Sequence, residues 1–89
     1  MKFTTENNRI FLKGESGKIL AEVTFPNIGE HTVEINHTFV DDSLRGQGIA
    51  GQLMEEAAKK IEADGKKARL TCSYAIKWFQ KNPRDFIVL

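Results

Sequence analysis

With 89 residues, the chain has the length of one domain, taken here as 1–89, near the small end of what folds unaided. Hydrophobic residues make up 40% and charged residues 28%, so a buried core in a water-soluble protein is expected, and a formal net charge of +1 excludes a chain-wide pull toward nucleic acid or an anionic membrane. No apolar run reaches membrane-spanning length, the N-terminus has no signal-peptide core, and the single Cys72 excludes an internal disulfide, so a cytoplasmic protein is expected.

Arg9 to Lys13 alternates as a strand does, and Gly14-Glu15-Ser16-Gly17 reads as a hairpin turn. Lys18 to Phe25 follows as a second strand, with Ile19, Ala21, Val23 and Phe25 on one face, until Pro26-Asn27-Ile28-Gly29 breaks it. His31 to Val40 is the third and longest strand. A period of two puts Val33, Ile35, His37 and Phe39 on one of its faces and Glu34, Asn36 and Thr38 on the other. Asp41-Asp42-Ser43 then leads to Arg45-Gly46-Gln47-Gly48, after which Ile49, Ala50, Leu53, Met54, Ala57, Ala58 and Ile61 recur at helical spacing. Gly65 suits the residue just past the helix, and Lys59 and Lys60 suit its C-terminal dipole. Ala68 to Ser73 is a fourth strand, joined to the third by a connection long enough for a parallel crossover. Tyr74 to Lys81 is a short second helix, ended before Asn82-Pro83, and Phe86 to Leu89 a last short strand. The expected class is α+β: a mixed, mostly antiparallel sheet with one parallel β-α-β crossover and helices packed on it.

The glycine turn carries the clearest chemistry. Gly46 and Gly48 sit between a strand and a helix, where such a turn aims backbone N–H groups at one point, a place for a phosphate or pyrophosphate. The alternative is a structural turn without a ligand. A dinucleotide site fits less well, because that fingerprint follows the first strand of a β-α-β unit and this turn follows three strands.

Arg45-Gly46-Gln47-Gly48-Ile49-Ala50 fits every specified position of Gln/Arg-x-x-Gly-x-Gly/Ala, and here the chain resembles the GNAT acetyltransferase superfamily. The resemblance runs from about Ile19 to Phe86, with Ala75 to Lys81 similar to the family's short helix after the next strand. It implies a minimal GNAT-like fold with acetyl-CoA as cosubstrate and no metal. Gly46 to Ala50 would wrap the CoA pyrophosphate through their N–H groups, with the Arg45 side chain reaching a phosphate. It also implies that the third strand and the strand at Ala68 to Ser73 splay apart. The pantetheine arm would lie in the gap, paired with backbone near Phe39 and Val40.

Within that family the chain is most similar to small single-domain members with a His and a Cys at places matching His37 and Cys72, where the Cys is implied as catalytic. A thiolate is a nucleophile and an imidazole can take its proton, so acetyl would pass from CoA to Cys72 and on to an amine acceptor. Direct attack by the amine, with His37 as base, is the alternative route. Cys72 as a small buried hydrophobe and His37 as a histidine satisfied within the sheet are the plain structural readings. Cys72, His31 and His37 lack metal-ligand spacing.

Many family members carry a Tyr acid where this chain has Phe79. Tyr74 lies a turn earlier, and Trp78 and Phe79 are expected in the core. Lys77, Lys81 and Arg84 could meet the 3′-phosphate of CoA or simply be solvated. Gly14 to Gly17 leaves no room for helices between the first strands, so the acceptor side is expected to be open, or completed by a partner or a second subunit. The expected function is an acetyl-CoA-dependent N-acetyltransferase acting on an amine. The alternatives are a CoA-binding module without turnover, or an interaction domain using the face of Glu34, Asn36 and Thr38.

Overall fold

The computed structural model describes residues 2–88. In chain order the elements are β1 (Thr4–Glu6), β2 (Arg9–Lys13), β3 (Ile19–Thr24), β4 (Thr32–Ile35), β5 (His37–Val40), α1 (Ile49–Ala63), β6 (Lys67–Leu70) and α2 (Ser73–Lys81), with a short 3-10 turn at Asp42–Leu44. Strands β1-β2-β3-β5 form an antiparallel sheet in that order, and β4 and β6 form a separate parallel pair. The mostly antiparallel arrangement with one parallel crossover, β4 to β6 through α1, is the expected class.

β1 carries no apolar alternation. Thr4, Thr5 and Glu6 are all exposed, and they form a strand because the edge of β2 supplies partners, Thr4 opposite Phe11 and Glu6 opposite Arg9. β3 follows its pattern: Ala21 and Val23 are buried, and Phe25 just past its end is 1% exposed. The expected strand at Phe86 to Leu89 contracts to one parallel bridge between Ile87 and Ala68, with Leu89 outside the described residues.

The expected single strand from His31 to Val40 is instead two strands that meet at Asn36 and serve two different partners. β4 lies beside β6 with Val33 opposite Ala68 and Ile35 opposite Leu70, and Val33 and Ile35 are buried as expected. At Asn36 the chain steps like a bulge. The Asn36 N–H donates to the Thr24 carbonyl at 3.3 Å, while His37 is the register partner of the same Thr24. The Asn36 side chain accepts from Thr24 Oγ1 at 2.7 Å. One extra residue reverses the alternation. His37 and Phe39 therefore turn outward, and Thr38 and Val40 are the half-buried residues of β5. This corrects the expectation that His37 and Phe39 share the buried face of Val33 and Ile35.

α1 buries one stripe, Ile49, Leu53, Met54, Ala57, Ala58 and Ile61, against β2, β3 and β5. It ends as its sequence predicts: Gly65 has φ +68°, its N–H donates to the Glu62 carbonyl, and the Lys66 N–H donates to the Ile61 carbonyl. That pair of bonds satisfies two carbonyls the helix would otherwise leave open. β6 is shorter than expected and stops at Leu70. The N–H groups of Thr71 and Cys72 both donate to the Ile35 carbonyl, at 3.1 and 3.2 Å, and the chain then turns directly into α2. Beyond Ile35 the two strands part.

Candidate functional site

Two open backbone features face the ends of β5. The first is the glycine turn. Asp41 prepares it by capping the 3-10 turn: its carboxylate accepts from the Ser43 N–H at 3.1 Å and the Ser43 hydroxyl at 2.7 Å, and Lys18 Nζ lies 3.4 Å away. The Ser43 hydroxyl and then the Ser43 N–H hold the Asp41 carboxyl below its usual range, with Lys18 assisting, against a smaller opposing effect of desolvation. Because the native value is the lower one, this cap contributes its full stability above the ordinary carboxylate range near pH ~4 and loses it as pH falls through the native value. Asp41→Asn should therefore flatten the acid limb of a stability-against-pH curve measured by urea unfolding, and leave its neutral-to-alkaline shape unchanged.

Arg45 is extended, Gly46 has φ +82°, and Gly48, the N-cap of α1, has φ +73°. A Cβ on either glycine would meet nothing within 4 Å, so glycine is required for the backbone conformation, and the space before the helix is open. No side chain caps α1, and the Gln52 N–H is already bonded to the Gly48 carbonyl at 3.1 Å. The N–H groups of Ile49, Ala50 and Gly51 precede that first helical bond and have no partner within the helix. Together with the dipole they favour an anion by roughly 0.3–1 kcal/mol at the terminus. The Arg45 guanidinium pairs with Asp42 at 2.9 Å, but both side chains are largely exposed, so the pair contributes little and leaves Arg45 free to turn.

The second feature is the gap between β5 and the end of β6. Asp41 N–H donates to the Leu20 carbonyl at 2.7 Å, in register with the Glu22–Phe39 pair. By antiparallel alternation, the N–H and C=O groups of Thr38 and Val40 then point away from β3 and into the gap. Cys72 lies across it as the N-cap of α2, half-buried against the core. Its thiol donates to Thr38 Oγ1 at 3.5 Å. Burial raises the thiol's pKa, but the Thr38 hydroxyl and the N–H groups of Ala75, Tyr74 and Thr38 together outweigh it, so the thiol ionises below its ordinary range. The neutral thiol caps no N–H of α2, so the N–H groups of Ala75 and Tyr74 act on the charge of the thiolate.

The structure thus brings Cys72 to the gap but does not bring His37 to Cys72. His37 is exposed on the opposite side of β5, and among the described residues no hydrogen bond joins the two. Thr38 is the side chain that meets the sulfur. This also removes Thr38 from the exposed face it was expected to share with Glu34 and Asn36. The signal available in the sequence was Asn36, a poor strand former in the middle of an alternating run, but the direction of the step depends on pairing with β3.

Beside the turn, α2 approaches α1 where Gly51 has no side chain: a Cβ there would lie 3.4 Å from Trp78 Nε1. Tyr74, Lys77, Trp78 and Lys81 line an open groove of about 200 Å³. Arg84, expected to cluster with the two lysines, is instead drawn to Glu55 at 2.7 Å and lies over the Trp78 ring. Phe79 is buried, edge-on to Trp78 and Phe86, and carries no proton to give. An apolar cavity of about 190 Å³ at the other edge of β6, among Leu70, Ile76, Phe79 and Ile87, shares no residue with the turn.

A sequence model described as GCN5-related N-acetyl-transferase matches residues 9–87, nearly the whole chain. The chain belongs to the GCN5-related N-acetyltransferase family. Among curated relatives, the GNAT chain is 38% identical over 63 residues to protein NATD1 of Xenopus tropicalis, a match covering 71% of this chain and 58% of that protein. The human NATD1 protein is 36% identical over 63 residues, covering 71% and 56%. The matches thus span under three-fifths of those relatives' length. Among solved structures, a GCN5-like protein of Staphylococcus aureus superimposes with a TM-score of 0.80 at 24% identity, over 98% of this chain and 87% of that one. A GNAT family acetyltransferase of Elizabethkingia anophelis with acetyl-CoA bound superimposes with a TM-score of 0.65 at 20% identity, over 83% and 51%. These two likenesses concern the fold.

Proposed function

We propose that the chain is an acetyl-CoA-dependent N-acetyltransferase that carries the acetyl group on Cys72. The observation that carries this reading is the alignment of two open backbone features, the glycine turn just past β5 and the gap along its edge away from β3. In this reading the pyrophosphate sits on the N–H groups of Gly46 to Ala50, Gln47 included, and Arg45 leaves Asp42 to reach a phosphate. The pantetheine arm runs past Phe39 and pairs with the outward backbone of Thr38 and Val40. The groove at Tyr74, Lys77, Trp78 and Lys81 offers an aromatic floor and two cations to the nucleotide end.

The thioester then ends beside Cys72. The Cys72 thiolate attacks the carbonyl carbon, the bond to the CoA sulfur breaks, and the departing CoA thiolate takes a proton from water, since Phe79 has none to supply. An acceptor amine next attacks acetyl-Cys72, the new C–N bond replaces the C–S bond, and the amine's proton passes to water, because His37 lies on the opposite side of β5 from the sulfur.

Amide shifts of Gly46 to Ala50 on titration with acetyl-CoA test the first step, and an acetyl mass increase on Cys72 after incubation tests the second. No shift up to millimolar ligand would remove the reading. Shifts without any acetyl-Cys72 or acetylated amine would favour a binding module without turnover, which the buried Phe79 also supports.

A further inference from the structure

We infer that Thr38 is the positioning residue for Cys72, holding the sulfur at the mouth of the gap as acceptor while the thiol keeps its proton and as donor once that proton has gone. This rests on the reading of Cys72 as the acetyl carrier and adds the residue through which it acts. The geometry has three parts. First, Thr38 Oγ1 is 3.5 Å from Cys72 Sγ, and this is the only side-chain hydrogen bond of Cys72 among the described residues. Second, the step at Asn36 is what turns Thr38 toward the gap, so the contact is set by the β3–β5 register and not by sequence proximity; the two residues are 34 apart. Third, a β-branched side chain on a strand has few rotamers, so the hydroxyl arrives already aimed.

A valine would fill the same half-buried space and suit a strand at least as well, so packing alone does not call for the hydroxyl. A hydroxyl can serve both states of the sulfur. It accepts from S–H; after the thiol proton leaves to water or to an incoming base, its O–H rotates and donates to S⁻, with no bond made or broken at Thr38. The charged and titratable groups on the surrounding elements are Glu34 on β4, His37 on β5, Asp41 just past it, Lys67 and Arg69 on β6, and Tyr74, Lys77 and Lys81 on α2; among the described residues none has a side-chain hydrogen bond or ion pair to the sulfur.

The test is the pH profile of Cys72 alkylation by iodoacetamide in the whole chain, compared for wild type, Thr38→Val and Thr38→Ser, with an amide NMR spectrum of each to confirm folding. The valine variant should reach the same thiolate fraction only at higher pH, and so be alkylated several-fold more slowly below the midpoint. Serine, which keeps the hydroxyl, should restore most of the wild-type profile. Superimposed profiles for wild type and valine, or a folded serine variant that behaves as valine does, would overturn the inference. The measurement needs no acyl carrier, so it decides the role of Thr38 whether or not Gly46 to Ala50 respond to acetyl-CoA. Failure of that response would count against the function alone.

Discussion

Gly48→Asp should bind acetyl-CoA at least about thirtyfold more weakly than Gly48→Asn. The two variants are matched in shape. Both residues tolerate the left-handed conformation that Gly48 adopts at φ +73°, both are good N-caps, and both enter space with nothing within 4 Å. They differ in one charge. Like unit charges about 5 Å apart at an effective dielectric near 20 repel by about 3 kcal/mol, and screening at the surface leaves about 2 kcal/mol, which is the thirtyfold. The same carboxylate should stabilise the ligand-free helix by roughly 0.3–1 kcal/mol through the dipole. Binding and stability should therefore move in opposite directions between the two variants. Calorimetric titration with acetyl-CoA and urea unfolding measure the two quantities. Equal affinities for Asp and Asn would remove the pyrophosphate from the turn.

Cys72→Ala should lower acetyl transfer to an amine by about a thousandfold or more, roughly 4 kcal/mol in the barrier, with the acetyl-CoA response of Gly46 to Ala50 unchanged. His37→Ala should leave both acetyl-Cys72 formation and transfer within a few-fold of wild type, because the imidazole lies on the opposite side of β5 from the sulfur. The opposite pattern, activity near wild type in Cys72→Ala with a large loss in His37→Ala, would mean direct attack of the amine on the thioester. Single-turnover assays with mass detection of acetyl-Cys72 separate these outcomes. Because Cys72 is half-buried and packed against the core, Cys72→Ser is the companion variant that keeps its volume.

The local signals proved sound where one element sufficed to state them. The stripe from Ile49 to Ile61, the stop at Gly65 and the alternation of Ala21 and Val23 each depend on a period or a conformation that neighbouring residues dictate. The glycine turn belongs with them: Gly46 and Gly48 both adopt positive φ before a helix with no side-chain cap, as their types suggest. β1 did not announce itself, because Thr4, Thr5 and Glu6 have no buried face and are ordered by the edge of β2. The last strand shrank to one bridge because a single position, Ala68, is what Ile87 pairs with.

The family signature, the first helix and the parallel crossover could thus be read from the residues alone, since each is a matter of spacing along the chain. Which side chain stands across from Cys72 could not. Strand parity has a period of two, so one extra residue at Asn36 exchanges the faces of everything after it, and that step exists because β3 and β6 claim different halves of the same extended run. Pairing between segments far apart in sequence put Thr38 at the sulfur and His37 on the other side.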